Sequence, residues 1–387
     1  MDFMQKNHYN RLTRRMTEYF FSEDTCRNTF FSPLSILVLL AVAAESTTGE
    51  TRVEIMKLFR DYQGTNEFGR ALAGFQKSIS RGDTFSSANA VCIRSDLKSA
   101  VHDGFRDSIL PQYDAELFSG DSMCEAVNRW AKKKTKGMID QLASEDINNA
   151  VLSLLNAVCF EAKWLMPFGD MDVRVKHFNN ADGTKSRVKM LFGSEDYYLE
   201  NDSFTGFIKS YLMSPFIFMA LLPKDENESA MIRAVKNTDW LALYGSARRE
   251  LVHIKLPEFR FDCELDLQGF CDSEGVRSIF GIGADFSPVA DGSLFMSSLM
   301  HKSHIEVDRL GTRAAAVSYG VGVGCLPPEG YHEVFLDRPF VFAVVHRDTG
   351  LPVFIGNVNH LEDAKDQPQR LGNKLRRREN AGWKLHE

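Results

Sequence analysis

From Asp308 to Leu326 the chain reads Asp-Arg-Leu-Gly-Thr-Arg-Ala-Ala-Ala-Val-Ser-Tyr-Gly-Val-Gly-Val-Gly-Cys-Leu, and Pro327-Pro328 end the run. Every second residue from Thr312 is small: Thr312, Ala314, Ala316, Ser318, Gly320, Gly322 and Gly324. The alternate set runs from Arg313 through Ala315, Val317, Tyr319, Val321 and Val323 to Cys325, and is larger and mixed. A period of two places successive side chains on opposite faces of a strand. Small side chains along one face let a backbone slide in beside something already packed. The glycines, and the lack of an apolar stripe, make the same stretch a weak permanent strand. The pattern implies a segment that enters a sheet on demand, so the fold needs a sheet able to admit it.

The rest of the chain supplies strands and helices for such a sheet. A helix-like stretch covers Asn7 to Phe21. Ser32 is a good N-cap and Pro33 suits the first position of a helix running into apolar Leu37 to Ala44. Thr48-Gly49-Glu50-Thr51 opens another helix, carrying Val53, Ile55, Met56, Leu58 and Phe59. Val127 to Ile139 reads as the end of a helix with Gly137 as its C-cap. Its lysines, Lys132, Lys133, Lys134 and Lys136, suit a solvated face at the negative helix end, with polyanion binding the alternative. Leu154 to Trp164 reads as a buried strand, and Phe216 to Leu222, ended by Pro223, as a strand buried on both faces. Val252, Ile254 and Leu256 alternate with His253 and Lys255. Phe340 to Val345 and Val353 to Ile355 form a closing strand pair. There are no repeats and no low-complexity linker, which implies one domain.

Chemistry is most informative where it is missing. The chain has no GxSxG, HExxH or GxxxxGK[ST] motif. Gly320-Val-Gly-Val-Gly324 looks like a phosphate loop, but no strand precedes it and two prolines follow where a helix should start. The reading is not an enzyme, with no cofactor and no metal. A net charge of −6 argues against a general nucleic-acid binder, and no apolar run has the length of a membrane span. The seven cysteines are scattered with no CxxC pair, which favours free thiols. Met1-Asp2-Phe3 moves straight into polar sequence, so the expectation is a cytoplasmic protein, or one reaching the extracellular space without a signal peptide. The sequons at Asn201 and Asn227 matter only in the second case.

Gly311-Thr312-Arg313-Ala314-Ala315-Ala316 resembles the hinge of the serpins, usually Gly-Thr-Glu-Ala-Ala-Ala. Asn28 to Ile36, Ser86 to Val91, Val127 to Ile139, Leu154 to Phe168 and Ala284 to Ser287 agree with that family, and the resemblance spans roughly residues 7 to 360. It is similar above all to the ovalbumin-like members, which lack a signal peptide. The resemblance implies an α+β fold: one domain over 1–360, three β-sheets with a large, mainly antiparallel central one, eight to nine helices and an exposed reactive-centre loop within 309–337. It implies a metastable, monomeric suicide-substrate inhibitor that traps a serine protease as an acyl-enzyme by inserting the cleaved loop into the sheet. Polymerisation is the attendant risk. Non-inhibitory carriers, chaperones or storage proteins, and inhibitors of cysteine proteases, are the alternatives. Counting fourteen residues from the hinge glycine, as the family does, puts the reactive bond after Cys325, with Leu326 the neighbouring register. No Lys or Arg occurs from Ala314 to Asp337, which points to elastase- or chymotrypsin-type targets.

Further positions carry over by the same resemblance. Ser32, Ser35, Asn156 and His301 match the polar cluster that shuts the central sheet, and Trp164 matches the tryptophan where the loop first enters. The family places an acid two residues before the hinge glycine and a base after Leu-Pro on a neighbouring strand. Here Arg309 and Glu258 stand there, which implies a salt bridge with swapped signs. Residues 361–387, with Arg376-Arg377-Arg378 and little apolar content, read as a disordered polar tail, with a docking segment or acidic-surface contact the alternative.

Overall fold

The structure, a computed structural model, describes residues 1–23, 26–61, 63–225, 235–236, 238–312 and 331–364. Its largest sheet runs in the order β3 (Ala115–Phe118), β2 (Phe85–Ile93), β4 (Leu152–Phe160), β13 (Met296–Val307), β14 (Gly311–Thr312), β5 (Ala162–Lys163), with β12 (Phe259–Asp266) paired to β13. A second sheet orders β1 (Thr29–Phe31), β17 (Pro352–Val358), β16 (Phe340–His346), β10 (Phe216–Pro223), β9 (Phe204–Ser210) and β8 (Tyr198–Glu200). The third orders β15 (His332–Phe335), β11 (Val252–Pro257), β7 (Lys185–Glu195) and β6 (Val173–Asn179). Eight α-helices lie among the described residues: α1 (Phe3–Glu23), α2 (Pro33–Glu45), α3 (Gly49–Leu58), α4 (Glu67–Ile79), the single turn α5 (Leu110–Gln112), α6 (Met123–Lys134), α7 (Trp240–Gly245) and α8 (Gln268–Ser273). Three sheets with surrounding helices are the α+β architecture expected from the sequence.

Local chemistry explains the main elements. α1 starts earlier than the periodicity suggests because Asp2 and Gln5 cap it reciprocally: Gln5 N–H donates to Asp2 Oδ1 at 2.8 Å and Asp2 N–H to Gln5 Oε1 at 3.1 Å. α2 begins as expected, Ser35 N–H donating to Ser32 Oγ at 3.1 Å with Pro33 at the first position. Every residue of α2 from Pro33 to Ala44 is buried, so the helix is apolar all round and sits under the large sheet. α6 covers the opposite face. Val127, Trp130 and Ala131 pack on Ala88, Ala90, Leu155 and Ala157, and the alanines leave room for the helix.

The end of α6 differs from expectation. The helix stops at Lys134, and two left-handed residues follow, Lys136 at φ 52 and Gly137 at φ 77, with Lys136 in the position that closes the helix. Gly137 N–H reaches back to Lys132 O and Lys136 N–H to Lys133 O, the paired bonds of a Schellman ending. Lys132, Lys134 and Lys136 each meet an acid, Asp140, Glu116 and Asp83, as a solvated helix face should.

The turn between β9 and β10 also holds a side-chain-bearing residue in the left-handed region. Met213, between β9 and β10, is 97% exposed and has φ 49, a region that costs a side-chain-bearing residue about 1–2 kcal/mol. Met213→Gly relieves that strain, partly offset by added freedom of the unfolded chain. The expected outcome is a gain of about 0.5–1 kcal/mol, read as a higher thermal midpoint. An unchanged or lower midpoint would refute it.

Candidate functional site

At the centre of the large sheet, β4 and β13 run parallel and pair directly, Asn156 opposite His301. Strand alternation turns Asn156 and His301 to the face that covers α2, where both are fully buried. Ser32 N–H donates to His301 Nε2 at 3.1 Å, and His301 Nδ1 meets Asn156 Oδ1 at 2.8 Å. A backbone N–H can only donate, so Nε2 must accept and the ring proton sits on Nδ1. Asn156 Nδ2 then donates towards Ser87 Oγ, Ala88 O and Asn89 Oδ1 at 3.1, 3.2 and 2.9 Å. Ser35 Oγ joins through Ser87 Oγ at 3.1 Å. Ser32, Ser35, Asn156 and His301 are thus one hydrogen-bonded network stitching α2, β2, β4 and β13. Burial holds the His301 pKa down to about 3, so the ring is neutral.

Ser87 and Asn89 belong to this network and were missed. They share strand parity with Phe85 and Val91, and two polar residues breaking an inward-facing apolar row were the available signal.

At one end of the seam β14 stands between its neighbours, antiparallel to both. Thr312 pairs with Val307 of β13 and with Ala162 of β5. Gly311 lies so close to β5 that an added Cβ would fall 2.2 Å from Ala162 O. Only glycine fits there. Thr312 is buried, and its hydroxyl bonds Tyr211 OH at 2.7 Å. Tyr211 stacks on Trp164 at 4.6 Å between ring centroids, and the two residues form a β-bridge. Trp164 Nε1–H donates to Asp308 O and its N–H to Leu310 O, both at 2.9 Å. Trp164 therefore holds the turn that feeds β14.

Beneath it is a buried ion pair with no sequence signal. Lys209 is 3% exposed, lies 2.6 Å from Glu195, donates to Met166 O, and points its ammonium over the Phe168 and Trp164 rings. Burial raises the Glu195 pKa and Lys209 opposes it. The pair ties the Trp164 loop to β7 and β9. Asp308 closes the hinge turn, accepting from Leu310 N–H at 2.7 Å and Gly311 N–H at 3.0 Å. Burial raises its pKa to about 6 against those two bonds, and Glu258 and Glu306 add to the rise.

The swapped bridge between Arg309 and Glu258 is corrected by this geometry. The Arg309 guanidinium pairs with Asp170 at 3.1 Å, whereas Glu258 accepts from the Arg309 backbone N–H at 3.2 Å and meets Lys189 at 3.6 Å. Glu258 does anchor the base of the hinge, but through the main chain. Reversed signs at two positions located a charged corner and left its pairing open, because other charges from β7 and the 170–172 turn compete. Arg313, Ala314, Ala315 and Ala316 of the hinge, and the reactive-bond residues Cys325 and Leu326, lie outside the described residues.

Comparison with known proteins adds the following. The family model for Serpin (serine protease inhibitor) matches residues 7–361. Serpin-Z10 of Arabidopsis thaliana is 30% identical over 357 residues, covering 86% of this chain and 91% of that protein. Plasminogen activator inhibitor 1 of Neovison vison is 30% identical over 352 residues, covering 86% and 87%. The solved structure of the thermophilic serpin tengpin in the native state matches with a TM-score of 0.84 at 28% identity, covering 93% of this chain and 95% of that one. In the latent state the same protein scores 0.78 at 27% identity, covering 94% and 99%.

The network makes two measurable demands. His301→Ala leaves Ser32 N–H and Asn156 Oδ1 without partners in the core, each costing about 1–3 kcal/mol. Monomer lifetime on warming should shorten, read by native gel, and an unchanged lifetime would count against the network. The pH effect has a definite sign. The folded pKa of about 3 lies below the unfolded 6.5, so the unfolded chain binds more protons between them. Stability from neutral His301 is whole above pH 6.5 and is lost as pH falls towards 3. Protonated Nε2 would face the Ser32 N–H, donor against donor. His301→Gln should flatten this part of the pH–stability curve, and an unaltered slope would show that other groups set it.

Proposed function

The chain belongs to the serpin family, and on that premise we propose that it is a suicide-substrate inhibitor of serine proteases of elastase or chymotrypsin type. The observation that carries the reading is the state of the hinge. β14 already stands between β13 and β5 at one end of the large sheet, while β4 and β13 pair directly below it. A strand continuing from Thr312 would run antiparallel to both neighbours. It would replace one parallel pairing by two antiparallel ones, and parallel pairing is the weaker per residue. Small residues at Thr312, Ala314 and Ala316 keep that path open.

The chemistry follows from the loop. The protease serine oxygen attacks the carbonyl carbon of Cys325 or, in the neighbouring register, of Leu326, the peptide C–N bond that follows it breaks, and the new amine takes the proton. An ester joins the protease to the upstream part of the loop. Insertion that outruns water carries the protease away from the other half of the loop and leaves the ester unhydrolysed. The absence of Lys and Arg from Ala314 to Asp337 supports pockets that take Cys or Leu.

Mixing the chain with elastase and with chymotrypsin tests this directly. A covalent complex that survives denaturing electrophoresis is expected. Thr312→Arg places a charge where the side chain is fully buried against Tyr211, so the variant should be cut at the same bond yet form at least tenfold less complex. Cleavage of the parent chain with no complex would overturn the inhibitory reading in favour of a non-inhibitory member. A complex with a cysteine protease alone would overturn the serine-protease assignment.

A further inference from the structure

At the hinge end of the large sheet the last described residues come back to the sheet's edge. Among the described residues β12 pairs only with β13, so its other edge is open. Asp262, Glu264 and Asp266 alternate outward along it, all exposed. At the start of β12 lies a groove of about 310 Å³ lined by Glu258, Asp262, Glu306, Asp308 and Glu362, with Arg260 the one basic residue in its wall. Several of these acids are already engaged: Asp262 with His304, Glu264 with Lys302, Glu258 with Lys189. The groove nevertheless keeps a negative excess, felt at Asp308 from both Glu258 and Glu306.

Glu362 lies in the groove wall, and Ala364 N–H is held by Arg187 O. The described chain therefore ends at Ala364 on β7, two residues beyond the groove wall. The segment that follows, residues 365–387, holds seven bases, Lys365, Arg370, Lys374, Arg376, Arg377, Arg378 and Lys384, against three acids, Asp366, Glu379 and Glu387. It has too little apolar content to build a core of its own, so a surface must supply any order it gains. We infer that residues 365–387 dock on this chain's own sheet edge, entering at the groove and running beside β12 with their basic side chains against its acids.

Lengths are compatible. The eight residues of β12 span about 27 Å at ~3.4 Å per residue, and the thirteen positions from Lys365 to Arg377 reach about 40 Å when extended. The docked segment covers an open strand edge that would otherwise be free to pair with another chain. It also brings positive charge beside the hinge turn. Both consequences follow from charge and position and do not depend on the inhibitory reading.

Zero-length carbodiimide cross-linking of the full chain, followed by peptide mass spectrometry, tests the docking. Lys365, Lys374 and Lys384 should join to Glu306, Glu362 or the β12 acids, with a yield independent of protein concentration. Raising salt from 50 to 500 mM should lower the yield severalfold. Replacing Arg376, Arg377 and Arg378 together by Glu should lower it at least fivefold, as should Glu306→Lys with Glu362→Lys, and combining the two sets should restore it. Hydrogen exchange gives a second readout, with β12 amides exchanging at least threefold faster in the Arg-to-Glu full chain than in the parent. Cross-links scattered over the acidic surface, links only between molecules, or equal β12 exchange would each overturn the inference.

Discussion

Two strands running the same way, β4 and β13, meet at the middle of the large sheet, and the rest of the molecule is arranged around that meeting. Adjacent parallel strands are the weaker kind of pair, and they need long crossovers to connect them. Here the connection is residues 161–295, which include β6, β7 and β11 of the third sheet and β8, β9 and β10 of the second. An antiparallel strand entering this seam would find a partner on either side, and unlike the sheet's other parallel pair, β2 with β3, this one lies at its centre. β14 occupies the first two residues of that position and the rest of the seam is closed.

What closes it is polar. An apolar seam of this length would resist parting in proportion to its area. The Ser32–His301–Asn156 network instead concentrates the hold in a few directional bonds, strong while complete and costly when one partner is missing. Such bonds can break and re-form with other donors and acceptors, as the proposed insertion would require. The neutral ring of His301 is part of that design, since the bonding pattern has room for one ring proton only.

Packing does the complementary work at the gate. Gly311 lets β14 touch β5, and Trp164, Tyr211 and Thr312 make a stacked, hydrogen-bonded unit over the buried Lys209–Glu195 pair. A buried ion pair seldom adds net stability over apolar replacements. Its evident contribution is positional, since it fixes the Trp164 loop relative to two sheets. Around it the charges form a local competition: Arg309 goes to Asp170, Lys189 to Glu258, and Asp308 to backbone donors. The net field at this corner is acidic, and the hinge turn is held mostly by main-chain groups.

Alternation, caps and turn residues are local, so the chain by itself determined most elements. The Ser32-Pro33 start of α2 and the doubly buried run Phe216 to Leu222 both specify their structures within a few residues. The hinge motif falls on the two residues, Gly311 and Thr312, that stand between β13 and β5. The end of α6 was less legible, because Lys136 turns left-handed as well as Gly137, and the closing bonds begin one residue before the glycine. Tertiary structure alone decided the pairings. Ser87 and Asn89 joined His301 because β2, β4 and β13 bring residues more than sixty positions apart into register. Lys209 found Glu195 and two aromatic rings because β9 crosses the foot of the Trp164 loop. Arg309 turned from Glu258 to Asp170 because charge attracts at a distance without naming a partner, and only the assembled surface ranks the partners on offer.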